Sequence, residues 1–247
     1  MDRIHRISLN RQTASDKWEA DINDTKLQEI ATALKCSLNI VTPGSEWYLY
    51  RGEANTTGVY ITFASNYFRV KIRCNGIDVT STDRAIYVPD SGAFYLAYVY
   101  GSGDNVAVGI SENSYTDSNK CINMLIVSAK DINTEEIATV YTMPYYSSSN
   151  KLAVATSTGI SIAVFDGYVY SVDTDLATVL VPLVIASTDH VLVCDNVYMP
   201  YAIKNSGGNH YYFTLNNKEY FFIDGQTKSS DKNIVRQQWV MELPSEG

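Results

Sequence analysis

The chain has 247 residues, 27 acidic against 19 basic side chains, a formal net charge of −8, and 45% hydrophobic residues. Surface scaling gives roughly 11,000 Å² folded against roughly 40,000 Å² unfolded, so about 70% of the surface can be buried without a metal or disulfide staple. The negative balance opposes nonspecific attraction to phosphate backbones, and no nucleic-acid partner is expected.

Residues 1–44 read as a first segment. Met1-Asp2-Arg3-Ile4-His5-Arg6 is followed by no apolar stretch of the secretory kind, so cytoplasmic synthesis is expected. Residues 1–23 are polar with sparse apolar positions, the pattern of an extended arm that orders by docking on a neighbour. Leu27, Ile30, Ala31 and Leu34 then fall at i, i+3, i+4 and i+7, and Thr25-x-x-Gln28 has the form of a capping box. A short amphipathic helix over 25–36 is predicted. Its stripe needs a partner, either its own sheet or a sister subunit; Leu27, Ile30 and Leu34 are expected to serve as an oligomer contact.

Residues 45–186 are expected to form a β-sandwich body. Runs at 47–50, 59–63, 67–74, 77–80, 85–88, 93–100, 106–110 and 121–127 are short, β-branched or aromatic, and bounded by turn residues. Asn75-Gly76 has the composition of a type I′ hairpin turn, and Asp166-Gly167 of another. Arg69-Val-Lys71-Ile-Arg73 alternates charge with apolar residues, the mark of a strand with one solvated face. Residues 131–142 hold either a turn of helix or a polar loop leading into a strand. Further strands are expected at 152–155, 160–165 and 168–172. The eleven-residue apolar run 176–186 contains Pro182 and is too short to cross a bilayer, so it reads as a buried strand and no membrane insertion is expected. The fold class is therefore all-β, an antiparallel sandwich or jelly-roll-like body with an N-terminal arm and one short helix.

Residues 187–247 form the third segment, a meander. Strands at 191–199, 211–215 and 219–223 are separated by a glycine-bearing turn at 205–209 and by Asn216-Asn217, and Trp239-Val240-Met241 closes as a last strand or docked end.

Chemistry-bearing patterns are sparse. Gly101-Ser102-Gly103 follows a strand as a dinucleotide fingerprint would, but the third glycine and the helix are missing, so a hairpin loop is expected. His5, His190 and His210 lack ligand spacing, and Asp189-His190 has no nucleophile elbow nearby. Asp166, Asp173, Asp175 and the pair Glu135-Glu136 are candidate carboxylates for glycoside hydrolysis, and Asp173 with Asp175 for calcium; solvated loop acids are the ordinary reading. Cys36, Cys74, Cys121 and Cys194 stand singly and are expected as free buried thiols. No cofactor, metal or catalytic residue is assigned.

The aromatic side chains carry the remaining signal, with nineteen tyrosines against seven phenylalanines. Trp47, Tyr48, Tyr50, Tyr95, Tyr98, Tyr100, Tyr145 and Tyr198 are the candidate interface or ligand residues, with subunit contact favoured over a sugar platform. Because strand residues alternate in direction, at least one aromatic of Trp47–Tyr50 is expected to leave its own core.

The run Asp195-Asn196-Val197-Tyr198-Met199-Pro200, followed by Tyr212-Phe213-Thr214-Leu215-Asn216-Asn217-Lys218-Glu219-Tyr220, resembles the strand-and-meander ends of virion structural proteins of tailed bacteriophages. The resemblance covers about forty residues and implies a tail, baseplate, collar or capsid-attached protein. Such a protein would be synthesised in the host cytoplasm, assemble in the virion as a symmetric homo-oligomer, and contact copies of itself and other virion proteins. A carbohydrate- or receptor-binding sandwich module, contacting a host-surface glycan through Trp47 or the Tyr95–Tyr100 face, is the alternative.

Overall fold

The computed structural model describes residues 3–14, 17–20, 22–53, 55–79, 84–88, 94–111, 121–146, 150–162, 179–201, 211–225 and 237–245. The chain begins with β1 (His5–Ser8), β2 (Arg11–Ala14), β3 (Lys17–Ala20) and the helix α1 (Asp24–Ala33). There follow β4 (Ser37–Thr42), β5 (Glu46–Tyr50), β6 (Gly58–Ala64), β7 (Tyr67–Cys74), β8 (Ile77–Asp78) and β9 (Arg84–Tyr87). The middle of the chain supplies β10 (Tyr95–Tyr100), β11 (Val106–Ser111), β12 (Cys121–Asp131), β13 (Ile137–Tyr146), β14 (Asn150–Thr156) and β15 (Ser161–Ile162). The last strands are β16 (Val179–Ala186), β17 (Val191–Tyr201), β18 (Tyr211–Leu215), β19 (Lys218–Gly225) and β20 (Gln237–Glu242). The protein is all-β and sandwich-like, with one helix among the described residues.

Strands β4 to β9 form one antiparallel sheet, in which β7 pairs with both β8 and β9. A second sheet runs β1-β10-β11-β12-β17-β20-β19-β18, with β13 to β16 branching from it. Long β12 is the joint: its first half pairs β11, its second half pairs β13, and its last three residues reach β17. Strand pairing thus crosses from residues 121–131 to 191–194, over the expected boundary at 186/187.

Strands β10 to β14 are covered on both faces. Val106, Val108, Ile110, Ile122, Met124, Ile126, Tyr141 and Met143 feed one core, shared with α1 and the β4–β9 sheet. Their neighbours Ala107, Leu125, Val127, Ala138 and Val140 point the other way, into a second core completed by Leu183, Ile185, Leu192, Phe221, Trp239 and Met241. Two-sided burial is why Val106–Ile110 and Ile122–Val127 read as nearly continuous apolar runs. In β7 only Phe68, Val70, Ile72 and Cys74 are buried, and the residues between them face outward, the one-sided alternation of Tyr67–Cys74.

The helix is capped by Asn23, whose Oδ1 accepts from the Lys26 amide at 2.9 Å, and not by Thr25, which lies inside the first turn. Ile22 and Leu27, at N′ and N4, are both buried in the first core as in a hydrophobic staple. The helix stops at Ala33, three residues short of the expected end, in a Schellman closure. Lys35 takes a positive φ of 53° while its amide bonds Thr32 O and that of Cys36 bonds Ala31 O. Leu27, Ile30 and Leu34 are each 0% exposed within the single chain. Their stripe is therefore covered by the protein's own sheets, which corrects their assignment to an oligomer contact; each burial is worth about 1.5–3 kcal/mol.

The start of the expected arm is likewise integrated, while β2 and β3 pair with each other as a separate two-stranded sheet. β1 pairs antiparallel with β10, Ile7 and Leu9 are buried, and the Leu9 amide bonds Phe94 O at 2.8 Å. Residues 131–142 resolve as a turn followed by β13, and the 176–186 run contributes β16, in which Leu183 and Ile185 are buried but Val181 is exposed. Trp239–Met241 lie in a true last strand between β17 and β19. Asn75-Gly76 and Asn216-Asn217 both carry paired positive φ values, as type I′ turns require; Ser65-Asn66 forms a third that was not read from sequence. The turns expected at 166–167 and 205–209, and the strand expected at 168–172, lie outside the described residues.

Candidate recognition surface

The outward face of the β4–β9 sheet places side chains in cross-strand rows. Tyr48 stands opposite Tyr60, and Tyr60 opposite Lys71; Glu46, Thr62, Arg69 and Ala85 form the next row, and Arg73 faces Asp78. Arg73 organises the centre. Its guanidinium carbon lies 3.5 Å from the Tyr60 ring centroid, Nη1 donates to the Tyr48 hydroxyl at 3.1 Å, and Nε donates to Asp78. Lys71 Nζ donates to the other Asp78 oxygen at 2.6 Å. Tyr48 and Tyr60 pack ring against ring at 4.9 Å and are buried beneath this layer.

Electrostatics follow from these contacts. Partial burial would raise the Asp78 carboxyl, but hydrogen bonds and charges from Lys71 and Arg73 outweigh it and hold it below the usual range. Burial works against the charge on Arg73, but its bonds to Tyr48 and Asp78 hold its pKa above the ordinary value. Burial, then Glu46, pushes the Tyr60 hydroxyl up. Toward the end of the face Tyr67 and Tyr87 meet edge to face at 5.6 Å and stay 40% and 44% exposed, with Arg69 over the Tyr67 ring at 5.5 Å. A face of ordered tyrosine and guanidinium groups with compensated charge can stack, donate and accept without first being desolvated around a lone charge.

The eight candidate aromatic residues separate. Trp47 is wholly buried in the first core, its Nε1 donating to Asp24 at 2.7 Å, so it offers no stacking face. Tyr48 leaves that core for the outward face, as strand alternation requires, but is covered by Arg73; Tyr50 is half-buried at the end of β5. Tyr95 lies on the opposite face of β10 from Tyr98 and Tyr100, with Arg6 over its ring at 5.8 Å. Tyr98 stacks on His5 at 5.1 Å, and Tyr100 lies under Lys35 while donating to Ala33 O at 2.8 Å, so this pair seals the end of α1. Tyr198 packs on Tyr220, and its hydroxyl reaches Glu242 at 3.4 Å. The Tyr145 side chain lies outside the described residues.

Other candidates resolve into structural roles or lie beyond description. Gly101–Asn105 forms the expected β10–β11 hairpin loop, and buried Asn105 ties it to β12 by accepting from the Ser128 amide at 2.9 Å. His190 pairs with Asp131 and not with its neighbour Asp189: Nδ1 lies 2.5 Å from Oδ2 of a side chain only 1% exposed, while His190 itself is 31% exposed. The His190 bond, with the Asn133 amide, holds the Asp131 carboxyl low. The Ile132 amide bonds Val191 O at 2.9 Å across the same two turns, so the pair clamps β12–β13 to β16–β17. Glu135 sits 3.7 Å from Lys130, and Asp166, Asp173 and Asp175 lie outside the described residues. Cys74 and Cys194 are free and buried, and Cys36 is free and half-buried; burial raises all three thiols, Cys194 to about 12. The described residues contain no cluster of three or more metal-ligating side chains, and no helix among them is long and apolar enough to cross a membrane.

No protein-family model, curated protein or solved structure matches the chain.

Proposed function

We propose that the chain is a non-enzymatic structural protein of a tailed-phage virion, acting through contacts with copies of itself and with other virion proteins. The reading is supported by the outward face of the β4–β9 sheet, where the exposed Tyr67–Tyr87 pair, with Arg69 over the Tyr67 ring, stands beside the Arg73 network that covers buried Tyr48 and Tyr60. Tyrosine and arginine are the residue types that dominate contact energy at protein interfaces, and a layer already held in place loses little freedom on binding. Lys71 and Arg73 are both engaged by Asp78, which compensates two of the cations on this face and disfavours a phosphate chain as the partner.

Light scattering on the purified chain across a wide concentration range tests the reading. A multimer whose mass falls in the Tyr67→Ser, Tyr87→Ser double variant, with unchanged far-UV circular dichroism, is the expected result. A monomer at every concentration refutes it. Removing residues 1–23 is not a clean probe, because β1 belongs to the body.

The exposed rings of Tyr67 and Tyr87 favour one second reading, a module that stacks a neutral host-surface glycan on these rings. A glycan array showing binding that disappears in the double variant would select it; an array without binding would remove it.

A further inference from the structure

The β4–β9 sheet ends at β4, which pairs with β5 alone, so its far edge has no strand partner among the described residues. Protein sheets ordinarily blunt such an edge with lysine, proline or inward-pointing charge. The sequence here, Ser37-Leu-Asn-Ile-Val-Thr42, has none of these. A register shift at Val41 disturbs one end, and Ser37–Ile40 remain regular. Ile40 lies opposite buried Trp47, on the core side of the sheet, yet it is 45% exposed at this edge; Val41 is 47% exposed. A further strand along this edge would cover both.

We infer that the free edge of β4 pairs with β4 of a second copy, antiparallel about a two-fold axis, joining two six-stranded sheets into one. Two copies each carrying −8 repel, and β4 is an uncharged stretch along which they can meet without like charges directly opposed. Antiparallel pairing of identical strands is self-complementary, so one surface serves both partners. Six residues give a seam of about 20 Å. Taken alone that is small for an interface, so the association of two isolated chains is weak and concentration-dependent. The inference rests on the self-assembly reading above.

Sedimentation equilibrium of the full chain and of Val41→Lys, with hydrogen exchange of residues 37–42 followed against concentration, tests it. In the wild type these amides gain protection as the dimer forms, and Val41→Lys weakens the dimer by about tenfold or more. Wild type that associates while residues 37–42 exchange at a constant rate, with Val41→Lys equally tight, overturns the β4 seam and leaves the assembly reading standing. A wild type that never associates overturns both. Should Val41→Lys fail to fold, the wild-type exchange still decides.

Discussion

Replacing Asp24 with alanine tests whether α1 belongs to the chain's own body. One oxygen of Asp24 accepts from the Trp47 indole at 2.7 Å and from the Gly44 amide at 2.9 Å, joining the first turn of the helix to β5 and to the β4–β5 turn. Trp47 is fully buried, so losing the acceptor strands its N–H in the core, at about 1–3 kcal/mol. The acidic group at the start of the helix adds about 0.3–1 kcal/mol through the helix dipole. Asp24→Ala should therefore cost about 1.3–4 kcal/mol, and Asp24→Asn, which keeps the oxygen, under about 1 kcal/mol. Urea unfolding followed by far-UV circular dichroism gives these values. In a Trp47→Phe background no indole remains to be stranded, so the cost of Asp24→Ala should fall by about 1–3 kcal/mol. Equal costs in the two backgrounds would mean that the indole bond contributes nothing to holding the helix.

Two further outcomes follow from single sites. Gly58 has φ +152°, and a Cβ there would stand 2.3 Å from the Leu49 carbonyl oxygen, so Gly58→Ala should lose at least about 1–3 kcal/mol and lower the thermal midpoint. Asp131 has a depressed folded pKa, so its stabilisation is complete above the unfolded value of about 3.9 and disappears as pH falls through the folded value. Urea midpoints against pH should show Asp131→Asn weaker than wild type at neutrality, with the gap closing in acid; a gap that stays constant would contradict the clamp.

The strands from β5 to β12 were legible because each is bounded by turn residues and either alternates or runs continuously apolar, according to how many faces it buries. β4 was not, because the register shift at Val41 breaks the alternation of Ser37–Thr42. β1 has one buried side chain, Ile7, and owes its strand conformation to pairing with β10 ninety residues away, which no local pattern reports. The helix stripe was legible but its partner was not: apolar spacing tells that a face must be covered, not whether the cover is the same chain. Asn23 and Thr25 are both competent caps, and buried Ile22 and Leu27 at N′ and N4 place the start at Asn23.

For the surface, the solvated row Arg69, Lys71, Arg73 could be read from alternation. That it meets Tyr48, Tyr60 and Asp78 depends on the register of three strand pairs. The clamp on His190 was hidden for the same reason, since Asp131 lies 59 residues away and the adjacent Asp189 was the visible candidate.

Electron micrographs of the native protein, purified without tags and imaged over a range of concentrations, test the self-assembly claim most directly. Closed symmetric particles or regular arrays in which the β4–β9 sheet lies at the contacts are expected. A uniform field of single subunits at every concentration would contradict it.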